Sequence, residues 1–277
     1  MSDHQAASGT VIDGGKKNLL GVLVDAVDYE AAVTRIAEAA AERKAYGVSA
    51  LAVHGVMTGV LDPEQRYRLN ALDLLTPDGQ PVRWGLNRLY RTALPDRVYG
   101  PKLMLAASTL AAERGFPVYL YGSRQAVLEP LVGRLRQFAP GIEVVGAEQS
   151  KFRPVSSEEK LEIVERIVSS GARIAFVGLG CPRQEIFAYE YRYELSMPVV
   201  GVGAAFDYLA GIVKEPSEAI QRLGLQWARR LAQNPKRLWR RYLVLNPAYA
   251  ALLLFQLSGR WRPQPSGVPP QRELRYA

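Results

Sequence analysis

The sequence predicts an α/β fold, a mostly parallel, Rossmann-like sheet flanked by helices, with a C-terminal helical membrane-proximal appendage. Three observations predict it. Short apolar runs alternate with helix-length segments through the first three quarters of the chain. From residue 213 onward no strand pattern remains. The charge is also segregated: between Glu218 and Glu273 lie ten basic and no acidic residues, more than the whole net charge of +8. The expected layout is a flexible arm over 1–17, an α/β catalytic domain over 18–212, a basic amphipathic appendage over 213–261 and a flexible tail over 262–277.

Taken in order, residues 1–17 are polar and glycine-rich, the composition of a loose arm. Leu19–Val27 reads as a strand, Tyr29–Lys44 as an alanine-rich helix and Ser49–Val56 as a second strand. Asp62-Pro63 opens a helix running to about Leu72, since Asp caps well and Pro suits the first helical position. Leu74–Thr76 is a short strand ending in Pro77-Asp78-Gly79, a turn signal ahead of another helix. Pro101–Arg114 is helical and closed by Gly115. Four compact strands follow at Pro117–Tyr121, Ile142–Val145, Arg173–Val177 and Pro198–Val202. Helices at Gln125–Phe138, Ser157–Ser169 and Arg183–Leu195 separate them, the alternation of a parallel sheet covered on both faces. The appendage reads as helices broken at Asn234-Pro235 and Asn246-Pro247. The Pro-rich end, 262–277, reads as frayed.

Composition excludes several site classes. Hydrophobic residues make up 48% of the chain, enough for a sizeable core. A single cysteine, Cys181, rules out an intrachain disulfide and suits a reducing compartment. The start lacks a basic region followed by an apolar core, and no apolar run reaches the roughly 20 residues of a spanning helix. The expected location is cytoplasmic, peripheral on the inner face of the cell membrane. One Cys and two His residues cannot assemble a zinc cluster. Gly14-Gly15-Lys16-Lys17 lacks the spacing of a phosphate-binding Walker loop. Neither Gly178-Leu179-Gly180 nor Gly201-Val202-Gly203 completes a dinucleotide fingerprint, though both end strands where phosphates can meet helix starts. No Asp-x-Asp is present to hold a divalent metal, so no cofactor or metal is expected. Phosphate charge must then be met by Arg, Lys and backbone amides.

An ordered set of motifs carries a resemblance. It comprises Asp62-Pro63-Glu64-Gln65-Arg66, Leu75 to Val82, Asp96 to Pro101, Tyr119 to Gly122, and Gly178 to Glu185. It continues with Gly201 to Asp207, Ala210-Gly211, Gly224 to Trp227, Asn234-Pro235 and Arg240 to Leu243. Over roughly residues 50–247 the chain resembles the WecG/TagA/CpsF family, sugar transferases of teichoic acid, common antigen and capsule or exopolysaccharide synthesis. It departs from that pattern at Ala52, where Asn is frequent, at Glu215 and Ala219, where Arg and Trp are usual, and at Gln226, where Glu is commoner.

The resemblance implies an inverting, metal-independent transfer of a hexose, N-acetylhexosamine or hexuronic acid unit. The donor would be a nucleotide diphosphate sugar, most readily a UDP-sugar, and the acceptor an undecaprenyl-diphosphate-linked saccharide. It implies that Asp78 is the catalytic base; spacing alone reads Asp78 as a helix-capping turn residue. Substrate contacts are expected at Gly79, Arg97, Gly100, Gly122, Gly180, Gln184 and Asp207. For Arg97 the plain alternative is an ion pair with Asp96, for Asp207 a turn cap. His54, on the second predicted strand, and Cys181 read as structural. Arg222 and Arg229, one heptad apart, are the choices for meeting the leaving diphosphate. Arg237, Arg240 and Arg241 share a helix face at i, i+3, i+4. With Trp239 and Tyr242 they make the composition of a helix lying on an anionic membrane surface. A homo-oligomer is compatible with the sequence. Two rival classes fit the sequence less well. A nicotinamide-dependent oxidoreductase lacks the complete glycine fingerprint. A nucleic-acid-binding module fits poorly because the basic residues are interleaved with a leucine-rich helix.

Overall fold

The computed structural model describes residues 11–215, 224, 226–233 and 235–277. Arg222 and Ala219 lie outside the described residues, as does the side chain of Arg237. The chain opens on an antiparallel hairpin of β1 (Asp13–Leu19) and β2 (Val22–Val27). Two sequence expectations change here: the strand begins inside the span read as a loose arm, and Leu19–Val27 is the end of one strand, a turn and a second strand. The turn is made by Leu20 and Gly21, both at positive φ, with Asn18 Oδ1 accepting from the Gly21 N–H at 2.8 Å.

Six parallel strands form the main sheet: β3 (Tyr46–Leu51), β4 (Leu74–Pro77), β5 (Val118–Gly122), β6 (Val144–Glu148), β7 (Ile174–Gly178) and β8 (Pro198–Gly201). Their order is β4-β3-β8-β7-β5-β6. The expected Ser49–Val56 strand stops at Leu51, which pairs with the last residue of β4, Pro77, so no ladder partner remains beyond it. The chain turns at once into α2 (Val53–Leu61), after α1 (Tyr29–Ala41). His54 therefore sits in the first turn of a helix and not on a strand. Then come α3 (Pro63–Asn70), α4 (Gln80–Tyr90), α5 (Gly100–Glu113), α6 (Gln125–Phe138), α7 (Ser157–Ser169), α8 (Arg183–Leu195) and the short α9 (Ala205–Leu209). The expected Asp62 cap is present, its carboxylate accepting from the Glu64 and Gln65 N–H groups. Strand side chains alternate between two cores: Ala175, Val177 and Val199 enter one, Ile174, Phe176 and Val200 the other. Both faces are covered, which is why these strands are apolar throughout.

Among the described residues four segments build the appendage: α10 (Gln226–Gln233), α11 (Pro235–Trp239), a π-helical turn (Arg240–Val244) and α12 (Leu245–Leu257). Asn246-Pro247 does not break it. The wide π turn runs straight into α12, and Pro247 falls in the first turn of that helix, where its missing N–H costs little. Helix α12 is fastened across α4 and the hairpin: the buried Tyr249 hydroxyl donates to Pro81 O at 3.0 Å, and Gln256 bonds both Asn18 O and the Leu20 N–H. A Cβ at Gly85 would meet that hydroxyl at 2.9 Å, so glycine permits the approach.

Residues 262–277, expected to fray, pack back along the core instead. Asn18 and Asn70 donate to the carbonyls of Pro263 and Pro265, and the Val268 N–H reaches Pro63 O. The Glu190 carboxylate accepts from both Leu274 and Arg275 N–H, each at 2.8 Å, and Glu273 pairs with the buried Lys160. Proline lacks a donor but keeps its acceptor, and the core supplies amide donors along the tail's path.

Candidate active site

The loops at the carboxyl ends of β3, β4, β5, β7 and β8 line a cleft of about 540 Å³, roofed by Trp227, Leu238, Arg241 and Tyr242 of the appendage. Strand carboxyl ends are where open α/β sheets bind ligands, because the helix N-termini that follow point there.

Asp78 is the first residue past β4, with its N–H held by Leu51 O and Thr76 O. Gly79 follows at φ 99°, a conformation that needs glycine, and lets the chain swing directly into α4. The Asp78 carboxylate and the Arg97 guanidinium stand 3.9 Å apart. Arg97 is 5% exposed, with its guanidinium 4.2 Å over the Tyr99 ring. Asp96, the alternative partner, accepts instead from Gln80 Nε2 and from the Arg97 backbone N–H. A Cβ on Gly100 would meet Val202 O at 2.9 Å and Asp78 Oδ2 at 3.7 Å, so glycine lets the start of α5 close on Asp78.

Asp78, Gly79, Arg97, Gly180, Gln184 and Asp207 thus gather in one cleft. Gly100 lies against it. Gly122 does not line it; at φ 112° it packs tight on the backbone of Gly178, which does. Gln184 is buried at the start of α8, beside Glu185, a fully enclosed carboxyl that burial pushes up in pKa. His54 also lines the cleft. Burial, with the Arg241 charge second, brings its pKa down to about 4, against a hydrogen bond to the Cys181 backbone. The Cys181 thiol is pushed up, chiefly by burial and then by Glu185.

The appendage residues divide. Arg241 and Tyr242, read as part of a membrane face, line the cleft, whereas Trp239 and Arg240 are exposed on the outside. Arg229 is half-buried but does not line the cleft. Ala52 stands as the N-cap of α2 without a side-chain hydrogen bond, so the N–H groups at that helix start face the cleft uncapped. Sequence reasoning missed Glu185, Arg124, Phe152 and Tyr208 as lining residues. Arg124 carried a usable signal, two residues past the glycine that ends β5. Phe152 carried none, since it comes from a distant loop. Among the described residues, no group of three His, Cys, Asp or Glu side chains could hold a metal ion, and no helix is long and apolar enough to cross a membrane.

The model of the glycosyl transferase WecG/TagA/CpsF family matches residues 17–263. The chain is also similar to the N-acetylglucosaminyldiphosphoundecaprenol N-acetyl-beta-D-mannosaminyltransferase of Bacillus spizizenii (strain ATCC 23059 / NRRL B-14472 / W23). The two are 31% identical over 194 residues, 70% of this chain and 72% of that relative.

Proposed function

The chain belongs to the WecG/TagA/CpsF family of glycosyl transferases, and we propose that it moves a sugar, with inversion and without a metal, from a nucleotide diphosphate sugar to an undecaprenyl-diphosphate-linked saccharide. The observation that carries this reading is the Asp78–Arg97 pair, 3.9 Å apart in a cleft ringed by glycine-ended strands. Asp78 takes the proton of the acceptor hydroxyl as that oxygen attacks the anomeric carbon. Arg97 holds the carboxylate in place. The nucleotide diphosphate leaves from the opposite face, which inverts the centre. Its charge is met by Arg241 and by uncapped helix N–H groups, the role a metal plays elsewhere.

The relative's name supports the acceptor class and makes a UDP-linked N-acetylhexosamine the first donor to test. The acceptor's lipid calls for contact with the membrane surface. The exposed Trp239, Leu243, Val244, Leu254 and Phe255, with Arg240 beside them, suit such a contact on its inner face.

The test is incubation of the protein with lipid-linked N-acetylglucosamine acceptor, a panel of radiolabelled UDP- and GDP-sugars, and EDTA in a parallel set. Transfer that survives EDTA is expected. No transfer from any donor would reject the function, and activity restored by magnesium or manganese would reject its metal independence.

A further inference from the structure

Helices α4 and α12 lie side by side and run in the same direction. The Tyr249 hydroxyl meets Pro81 O, a Cβ at Gly85 would stand 3.5 Å from Leu253 Cδ2, and Asn18 O accepts from both Tyr90 and Gln256. Each contact advances along both helices together, through Pro81, Gly85 and Tyr90 on one and Tyr249, Leu253 and Gln256 on the other. Both also lay side chains on the same core, Val82 and Leu86 from α4, Tyr249 and Leu252 from α12. Their outward faces therefore form one surface.

On α12 that surface is apolar. The helix carries no charged residue, and Leu254 is 67% exposed, with Phe255 and Leu257 exposed beside it. On α4 the outward positions are Trp84, Arg88 and, just past its end, Arg91, spaced i, i+4 and i+7 and all exposed. No acidic residue occurs in 80–91 or in 240–263, whereas Arg240, Arg260 and Arg262 flank α12. An apolar strip bordered by a tryptophan and arginines, without an acid, is complementary to an anionic lipid surface. Acyl chains take the strip, the interface takes the indole and the headgroups take the guanidinium groups. With 13 residues α12 is about 20 Å long, too short to cross a bilayer, so it suits lying along one.

We propose that α4 of the α/β domain, through Trp84, Arg88 and Arg91, docks on an anionic lipid surface together with the apolar face of α12. This rests on the proposed function and deepens it, because it fixes where Asp78 stands relative to the lipid. Asp78 comes two residues before α4, and Trp84 lies about 6 Å along the axis from the helix start. A Cβ on Gly224, in the cleft lining, would stand 3.3 Å from Trp84 Cη2 and 3.4 Å from Gln80 Cβ. Trp84 is thus at the rim of the cleft, on the side from which a lipid-linked saccharide reaches Asp78.

The test uses the full chain and vesicles of equimolar phosphatidylglycerol and phosphatidylcholine, with neither donor nor acceptor present. With bromine on the acyl chains, wild-type tryptophan fluorescence should be quenched, and Trp84→Phe should lose part of that quenching. Arg88→Gln should weaken vesicle binding about fivefold at low salt and less than about twofold in molar salt. Leu254→Asp should weaken it at both salt levels. All three side chains are exposed, so the variants should keep the wild-type circular dichroism. Quenching that is identical in wild type and Trp84→Phe, or unchanged affinity in Arg88→Gln, overturns the proposal and leaves any membrane contact to the appendage. A dimer in sedimentation that Leu254→Asp dissolves, with Trp84 unquenched, gives the face to a second copy and overturns it too. Vesicle binding as expected, with no sugar transferred from any donor, would instead reject the transferase reading and leave the docking face standing.

Discussion

The floor of the cleft and its roof are built by different rules. On the floor each side chain's place follows from sheet register: Asp78 comes one residue after Pro77, which pairs with Leu51, and Gly79 sets the direction of exit. On the roof, Arg240 and Arg241 are adjacent in sequence yet one is exposed and the other lines the cleft. Consecutive helical residues point about 100° apart, so a shared-face argument from i, i+3, i+4 spacing covers a wide arc. The π turn that begins at Arg240 then changes the period itself. Floor residues are therefore specified by what precedes them in the chain, and roof residues by what they pack against.

The largest effect should come from the floor. Asp78→Asn should leave UDP binding and the fold intact and lower turnover by at least two orders of magnitude, the scale of a lost general base. Near wild-type transfer by this variant would reduce Asp78 to a turn residue and leave the floor without its base.

The roof comes next, and it can be split in two. Arg241→Gln should lower turnover on a soluble short-chain acceptor by roughly tenfold to a hundredfold, as expected for one hydrogen bond to a charged group. Arg240→Gln should spare that reaction and weaken binding to anionic liposomes by about fivefold at low salt. Equal effects of the two variants in both assays would erase the distinction drawn between them.

A third, smaller effect concerns the tail that packs back along the core. Glu190→Ala removes the acceptor of two tail N–H groups and should cost about 1–3 kcal/mol in urea unfolding. Unchanged stability would mean that the tail contributes nothing to the fold.

This contrast also explains what was legible in the sequence. Helices α6, α7 and α8 match their expected bounds from local signals: an apolar stripe in α6 and α7, the Ser156–Glu159 capping box of α7, and Pro182 directly ahead of α8. The motif residues Asp78, Arg97, Gln184 and Asp207 converge because each follows or adjoins a strand end. The hairpin was missed because Leu20-Gly21 interrupts an apolar run with a single glycine. The start of α2 was missed because the end of β3 is set by its neighbours' lengths and not by its own residues. The packed tail and the split of Arg240 from Arg241 are tertiary outcomes, invisible to periodicity.

The smallest effect tests whether floor and roof meet as described. His54 stands on the floor with Arg241 as the charge above it, and its pKa is brought down to about 4, chiefly by burial and then by that charge. A histidine whose folded pKa lies below its unfolded value near 6.5 binds fewer protons when folded. Its contribution to stability is therefore fully present above about pH 6.5, declines as pH falls, and is gone below about 4. In Arg241→Gln the like charge is removed while burial remains. The His54 titration, followed by imidazole proton NMR against His4 as the other histidine, should then move upward without reaching 6.5. The acid-side loss of stability should become shallower in step. A titration that does not move would mean that Arg241 exerts no field on the floor, and the roof of the cleft would have to be built from other residues.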